Sequence, residues 1–164
     1  MRVRILVTGG TFDKDYDEIA GALSFRRTHV PEMLRLGRCR LNAPVTTLMM
    51  KDSLFMTAAD RRKILAACRR APETRLVITH GTDTMAETAA VLGRELKDKT
   101  AVLTGAMRPY RFGSSDGMFN LGSALSFAQV LPPGVFVAMN GLFFPWDSVR
   151  KDRRRGVFVR GASA

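Results

Sequence analysis

Cysteine and histidine are scarce: Cys39, Cys68, His29 and His80 are the whole complement, and their spacing matches no zinc site. Two isolated thiols read as reduced cysteines, which suits a cytoplasmic protein. No run of ~20 apolar residues occurs, so a membrane span is not expected. The apolar start Ile5-Leu6-Val7 meets Thr8-Gly9-Gly10 too soon to form the core of a signal peptide. Acidic residues are also few. Asp plus Glu total 15 against 26 Lys plus Arg, a net charge of +11 that makes nucleic acid, acidic membrane surfaces and anionic small molecules the partners to weigh.

What is present is an ordinary globular composition. Hydrophobic residues make up 46% of 164 residues, which excludes general disorder and suffices for one packed core. No repeat, low-complexity tract or linker divides the chain, so one domain over residues 1–164 is expected. Short apolar runs alternate with segments of helical period. Ile5 to Val7, Val45 to Met50, Leu76 to Ile78, Ala101 to Leu103 and Val135 to Met139 read as five strands. Thr57-Ala58-Ala59-Asp60 and Thr84-Met85-Ala86-Glu87 both fit a capping box, in which hydroxyl and carboxylate satisfy early helix amides reciprocally. A further helix is expected over Asn120 to Val130, closed by Pro132-Pro133-Gly134. Strands buried on both faces and separated by helices predict an α/β three-layer sandwich with a mainly parallel sheet, Rossmann-like or flavodoxin-like.

In open sheets of this kind, ligands bind beyond the carboxyl ends of the strands. The loop Thr8-Gly9-Gly10-Thr11 allows close backbone approach while Thr11 presents a hydroxyl; it lacks the spacing of a dinucleotide or phosphate-loop motif. Thr79-His80-Gly81-Thr82-Asp83-Thr84 runs from a strand directly into a helix, where amides favour developing negative charge. Capping accounts for Thr84 and Glu87 but not for Thr82 and Asp83. A threonine hydroxyl is a weak nucleophile that needs a base, so Thr, Asp and a lysine from elsewhere form a plausible relay.

Taken with Gly105-Ala106-Met107-Arg108-Pro109, Ser115-Asp116-Gly117 and Phe119-Asn120-Leu121, these loops resemble the bacterial-type L-asparaginases and glutaminase-asparaginases. The resemblance spans almost the whole chain but only the family's N-terminal catalytic domain, so a short-chain form without the smaller C-terminal domain is expected. It implies hydrolysis of L-asparagine to L-aspartate and ammonia, with no metal or organic cofactor. Thr11 resembles the threonine that attacks the side-chain amide, and Thr82, Asp83 and Lys151 resemble the accompanying triad. Lys151 keeps its offset from Met139-Asn140, although its neighbours Arg150 and Arg153 to Arg155 also read as a solvated basic segment. Tyr16 resembles the tyrosine that polarises the nucleophile, with Tyr110 as its substitute. For the substrate, the resemblance implies Gly10 and Ser53 in the pocket, Asp83 on the α-amino group and the Ala106 carbonyl on the leaving amide. Leu54 stands where the family carries a polar residue.

Two other readings compete. A catalytically weak amino-acid-binding module would keep the fold without turnover. A nucleic-acid binder would use the positive charge, but the basic residues are scattered without interleaved aromatics, as on a solvated surface. The resemblance also implies a homodimer or homotetramer whose subunits complete one another's sites around a small amino-acid amide.

Overall fold

The computed structural model describes residues 1–161. Each of the five apolar runs becomes a parallel strand: β1 (Arg4–Gly9), β4 (Val45–Lys51), β5 (Arg75–Thr79), β6 (Thr100–Thr104) and β7 (Gly134–Met139). They lie in the order β4-β1-β5-β6-β7, and β8 (Leu142–Pro145) turns back antiparallel on β7 through Asn140-Gly141. Counting parallel strands along the chain, the order is 2-1-3-4-5, the flavodoxin-like arrangement. Two small hairpins stand apart, β2 (Lys14–Asp17) with β3 (Ala22–Phe25) and β9 (Val149–Asp152) with β10 (Val157–Arg160).

Alternation along each strand distributes side chains between two cores. Leu6, Leu76, Ile78 and Leu103 pack on α2 (Ala58–Arg70) and α3 (Met85–Glu95). Ile5, Val7, Val77 and Val102 pack on α1 (Val30–Leu36) and α4 (Gly117–Val130). The result is the expected three-layer α/β sandwich. Because helices cover both faces, the central strands are buried at nearly every position rather than at every second one.

One of the two capping boxes forms. Thr57 Oγ1 accepts from the Asp60 amide, and Asp60 accepts from the Thr57 amide at 2.8 Å. The Lys51 ammonium, 2.6 Å away, together with that amide holds the Asp60 carboxyl at about 2. At the second box the helix begins as expected, but Thr84 makes no cap: its hydroxyl donates to the Ser53 carbonyl at 2.9 Å, and Glu87 pairs with Arg61 instead. A tertiary acceptor wins over the local one.

Part of the basic excess is structural. Lys99, buried, donates to the Cys68 and Ala71 carbonyls that end α2. Arg4 forks onto both oxygens of Glu73, and Arg75 donates to Thr100 Oγ1 and to the Leu131 carbonyl after α4. Such C-terminal carbonyls carry partial negative charge that cations satisfy. No helix among the described residues is long and apolar enough to cross a membrane.

Candidate active site

The chain leaves β1 toward β4 on one side, while β5 lies on the other, so the loops after β1 and β5 flank the point where strand order reverses. Gly9 ends β1 and Gly10 follows it, with φ of +92° and +83°, a region that costs glycine little. Close packing also requires Gly10: a Cβ there would overlap the Gly81 amide nitrogen. A Cβ on Gly81 would lie 2.5 Å from Ser53 Oγ, and one on Gly105 would lie 2.9 Å from Met85 Cε and 3.4 Å from Thr82 Cγ2. The loops after β1, β4, β5 and β6 therefore meet through glycines at one sheet edge. Thr11 and Thr82, one residue beyond Gly10 and Gly81, belong to touching loops.

Thr11 opens a 3-10 turn, half-buried, and its hydroxyl has no hydrogen-bond partner among the described residues. Thr82 and Asp83 are joined by Lys151, whose Nζ donates to Thr82 Oγ1 at 2.8 Å and to Asp83 Oδ1 at 2.9 Å. Lys151 arrives on β9. In that hairpin Lys151 pairs with Phe158, and antiparallel partners share a face, so the buried Phe158 ring that joins the α2-α3 core directs Lys151 inward. Its neighbours face away: Asp152 Oδ1 accepts the Arg154 and Arg155 amides and closes the hairpin turn. The segment that also read as a solvated basic run is thus an ordered hairpin with one inward lysine. Because Thr82 accepts from Lys151, its own hydroxyl proton is directed elsewhere.

Ser53 is 1% exposed, and its Oγ lacks a partner within the protein. Leu54 and Phe55, beside it, are exposed. Ala106 is fully buried at the end of β6. Tyr16 stands on β2 with its side chain 57% exposed and makes no hydrogen bond to Thr11 among the described residues. Tyr110 packs on the His29 ring, centroids 5.6 Å apart.

Two residues given no role from the sequence shape the site. Asn120, buried, donates to the Gly105 carbonyl and to Asp116, both at 2.9 Å, and accepts the Asn140 amide at 2.9 Å. Asp116 in turn accepts the Met107 and Arg108 amides, so the Ala106 loop is fastened at both ends. The Asp116–Asn120 spacing, one helical turn, was the available signal. His80, fully buried, opens the loop that carries Thr82 and Asp83. Its Nδ1 is 2.7 Å from the Gly81 carbonyl, which can only accept, so Nδ1 carries the hydrogen and Nε2 accepts from Thr88 Oγ1 at 2.8 Å.

Burial pushes the His80 imidazole down to about 4. In the unfolded chain it takes a proton near pH 6.5, in the folded protein only near pH 4, so unfolding binds protons between these values. His80 is neutral in both states above that window and costs nothing there. Stability should fall as pH drops through it, by about 3 kcal/mol in all from this residue. Urea unfolding at several pH values should show a flatter decline for His80→Gln; identical slopes would contradict this.

Among the described residues, no group of three or more His, Cys, Asp or Glu side chains could hold a metal ion. The profile of the asparaginase N-terminal domain matches residues 2–157. Over 152 residues the chain is 36% identical to a probable periplasmic L-asparaginase of Haemophilus influenzae, covering 84% of this chain and 42% of that protein. Over 158 residues it is 46% identical to a glutaminase-asparaginase of Pseudomonas fluorescens biotype A, with the same two coverages. The thermostable L-asparaginase from Thermococcus kodakarensis superposes with a TM-score of 0.84 at 30% identity, over 98% of this chain and 51% of that one. The chain spans less than half the length of the two relatives matched by sequence. By the profile match and by these similarities, the chain belongs to the asparaginase family, as its N-terminal domain.

Proposed function

We propose that this chain is an amidohydrolase acting on L-asparagine, with Thr11 as nucleophile and residues 1–164 as one catalytic domain. The observation that carries the reading is the contact of Lys151 with both Thr82 and Asp83, set beside the Gly10–Gly81 junction. A nucleophile, a base relay and helix-start amides are the parts acyl transfer needs.

In this reading the substrate's α-carboxylate meets Ser53, whose buried hydroxyl otherwise lacks a partner, and its α-amino group meets the Asp83 oxygen that Lys151 leaves free. Gly10 lets the backbone approach, and the Ala106 carbonyl accepts from the leaving amide. Thr11 Oγ attacks the side-chain carbonyl carbon; its proton goes to the nitrogen, and the C–N bond breaks to release ammonia. Water then attacks the ester on Thr11, aspartate leaves, and the proton returns to Oγ. Thr82, Asp83 and Lys151 move and hold these protons. Tyr16 takes part if the β2-β3 hairpin swings its exposed ring toward Thr11.

Ammonia release from L-asparagine, L-glutamine and a panel of small amides tests the proposal. L-asparagine should be hydrolysed, and Thr11→Ala should be slower by roughly a hundredfold or more. Full activity in that variant would show the nucleophile to be misassigned.

A homodimer or homotetramer closing the site is also proposed, supported by the exposed Leu54 and Phe55 beside Ser53 and by the prevalence of two-fold assemblies. Specific activity should then fall on dilution; a strict monomer by light scattering with concentration-independent activity would contradict it. Two free cysteines support a cytoplasmic setting, which recovery in a periplasmic fraction would overturn.

A further inference from the structure

A cavity of about 640 Å3, lined by none of Thr11, Thr82, Asp83 and Lys151, lies between the β2-β3 hairpin and the turn Tyr110–Phe112. Arg26 and Arg27, just after β3, and Arg111 line it with Asp15, Tyr16, His29 and Phe112. Three guanidinium groups thus share one cavity with a single carboxylate, and that carboxylate is engaged: Asp15 Oδ1 lies 3.0 Å from His29 Nε2. The cations are poorly matched. Arg111 reaches Asp15 only at 3.6 Å and Glu32 at 3.8 Å, and Arg26 reaches Asp17 at 3.8 Å. Arg27 has no ion pair among the described residues. These separations exceed hydrogen-bond distance and leave guanidinium donors open, while like charges around one space repel.

A polyanion is the ligand that resolves this. Guanidinium forks meet phosphate oxygens two at a time, and several phosphates would satisfy several forks. The cavity offers more than charge. Tyr16 and Phe112 line it with side chains more than half exposed, and aromatic faces of this kind stack on a nucleobase. Its volume falls within the range of ~300–1,000 Å3 typical of small-molecule sites, well beyond what one phosphate fills.

We propose that this cavity binds a nucleoside polyphosphate, with Arg26, Arg27 and Arg111 on the phosphates and the Tyr16 and Phe112 rings on the base. The ligand bridges the end of β3 to the 110–112 turn. The cavity shares Tyr16 with the proposed hydrolase site, but binding is read separately from turnover, so the two readings fail by different results.

Calorimetric titration of the whole chain with ATP, inorganic tripolyphosphate and adenosine tests it. ATP should bind with one-to-one stoichiometry, tripolyphosphate more weakly, and adenosine below detection. Arg27→Glu and Arg111→Glu should each weaken ATP roughly tenfold or more, and Phe112→Ala several-fold, whereas Arg154→Glu, the same charge change on the β9-β10 turn, should leave affinity unaltered. Trypsin gives a readout that needs no variant: ATP should slow cleavage after Arg26 and Arg27 in the natural chain and leave cleavage after Arg154 unchanged. Absence of ATP binding, equal weakening by Arg154→Glu, tripolyphosphate binding as tightly as ATP, or unprotected cleavage at Arg26 and Arg27 would each overturn the proposal.

Discussion

Replacing Lys151 with methionine should reduce asparagine hydrolysis roughly a thousandfold, and Thr82→Ala should do about the same. Methionine keeps much of the aliphatic stem beside Phe158 but removes the nitrogen that binds Thr82 Oγ1 and Asp83 Oδ1, so the hairpin should stay docked while the relay is cut. Groups that act as one unit fail together. The double variant should therefore be about as slow as the slower single one, and losses that multiply would show that the two side chains work separately. Charge reversal at Arg154 and Arg155, on the same hairpin, should change turnover little. Equal damage from that change and from Lys151→Met would mean that the hairpin contributes only charge.

Gly10→Ala should be severely damaging to the site's framework. Two penalties coincide there, a φ of +83° and a Cβ driven into the Gly81 amide, and backbone cannot retreat as the end of a side chain can. A loss of about 3 kcal/mol or more is expected, together with most activity, since the Thr11 and Thr82 loops are pushed apart. Gly21→Ala separates the two effects. Gly21 has a φ of +61° with nothing within 4 Å of its would-be Cβ, so only the conformational term of about 1 kcal/mol remains. Equal costs in urea unfolding would mean that the Gly10–Gly81 contact yields readily and does not set the loop spacing.

The five parallel strands were legible in the sequence because burial on both faces writes short uninterrupted apolar runs such as Ile5 to Val7 and Leu76 to Ile78, whereas the antiparallel β8 was not expected. The hairpins were not legible either. Lys14-Asp15-Tyr16-Asp17 and Val149-Arg150-Lys151-Asp152 carry little apolar alternation, and polar contacts help hold them: Lys14 to Asp52 at 2.5 Å, Asp15 to His29, and Lys151 to Asp83. Partners that distant leave no periodicity. Helix α1 was missed for a related reason, being seven residues long with Pro31 in its first turn.

Within the site, glycines and threonines on strand ends could be found by position, since each follows an apolar run. Lys151 could be found only by resemblance, because its direction depends on the register that pairs it with Phe158. Thr84 shows the opposite case, a correct local motif whose hydroxyl was taken by the Ser53 carbonyl. Tyr16 was assigned by resemblance to a tyrosine that usually lies farther from the threonine, and a resemblance in sequence does not say which way a hairpin leans. His80 gave no warning of its role: one imidazole at a strand end looks the same whether it faces solvent or, as here, fastens the Gly81 carbonyl to Thr88.

The account stands most directly on Thr11 as the atom that carries the acyl group. Acid quenching of the natural chain during turnover of L-asparagine, followed by peptide mass spectrometry, measures this. The account predicts an adduct with the mass of asparagine less ammonia on the peptide containing Thr11, absent in Thr11→Ala and accumulating in Lys151→Met if deacylation is slowed more than acylation. An adduct located on Thr82 instead, or hydrolysis persisting at full rate in Thr11→Ala, would contradict it.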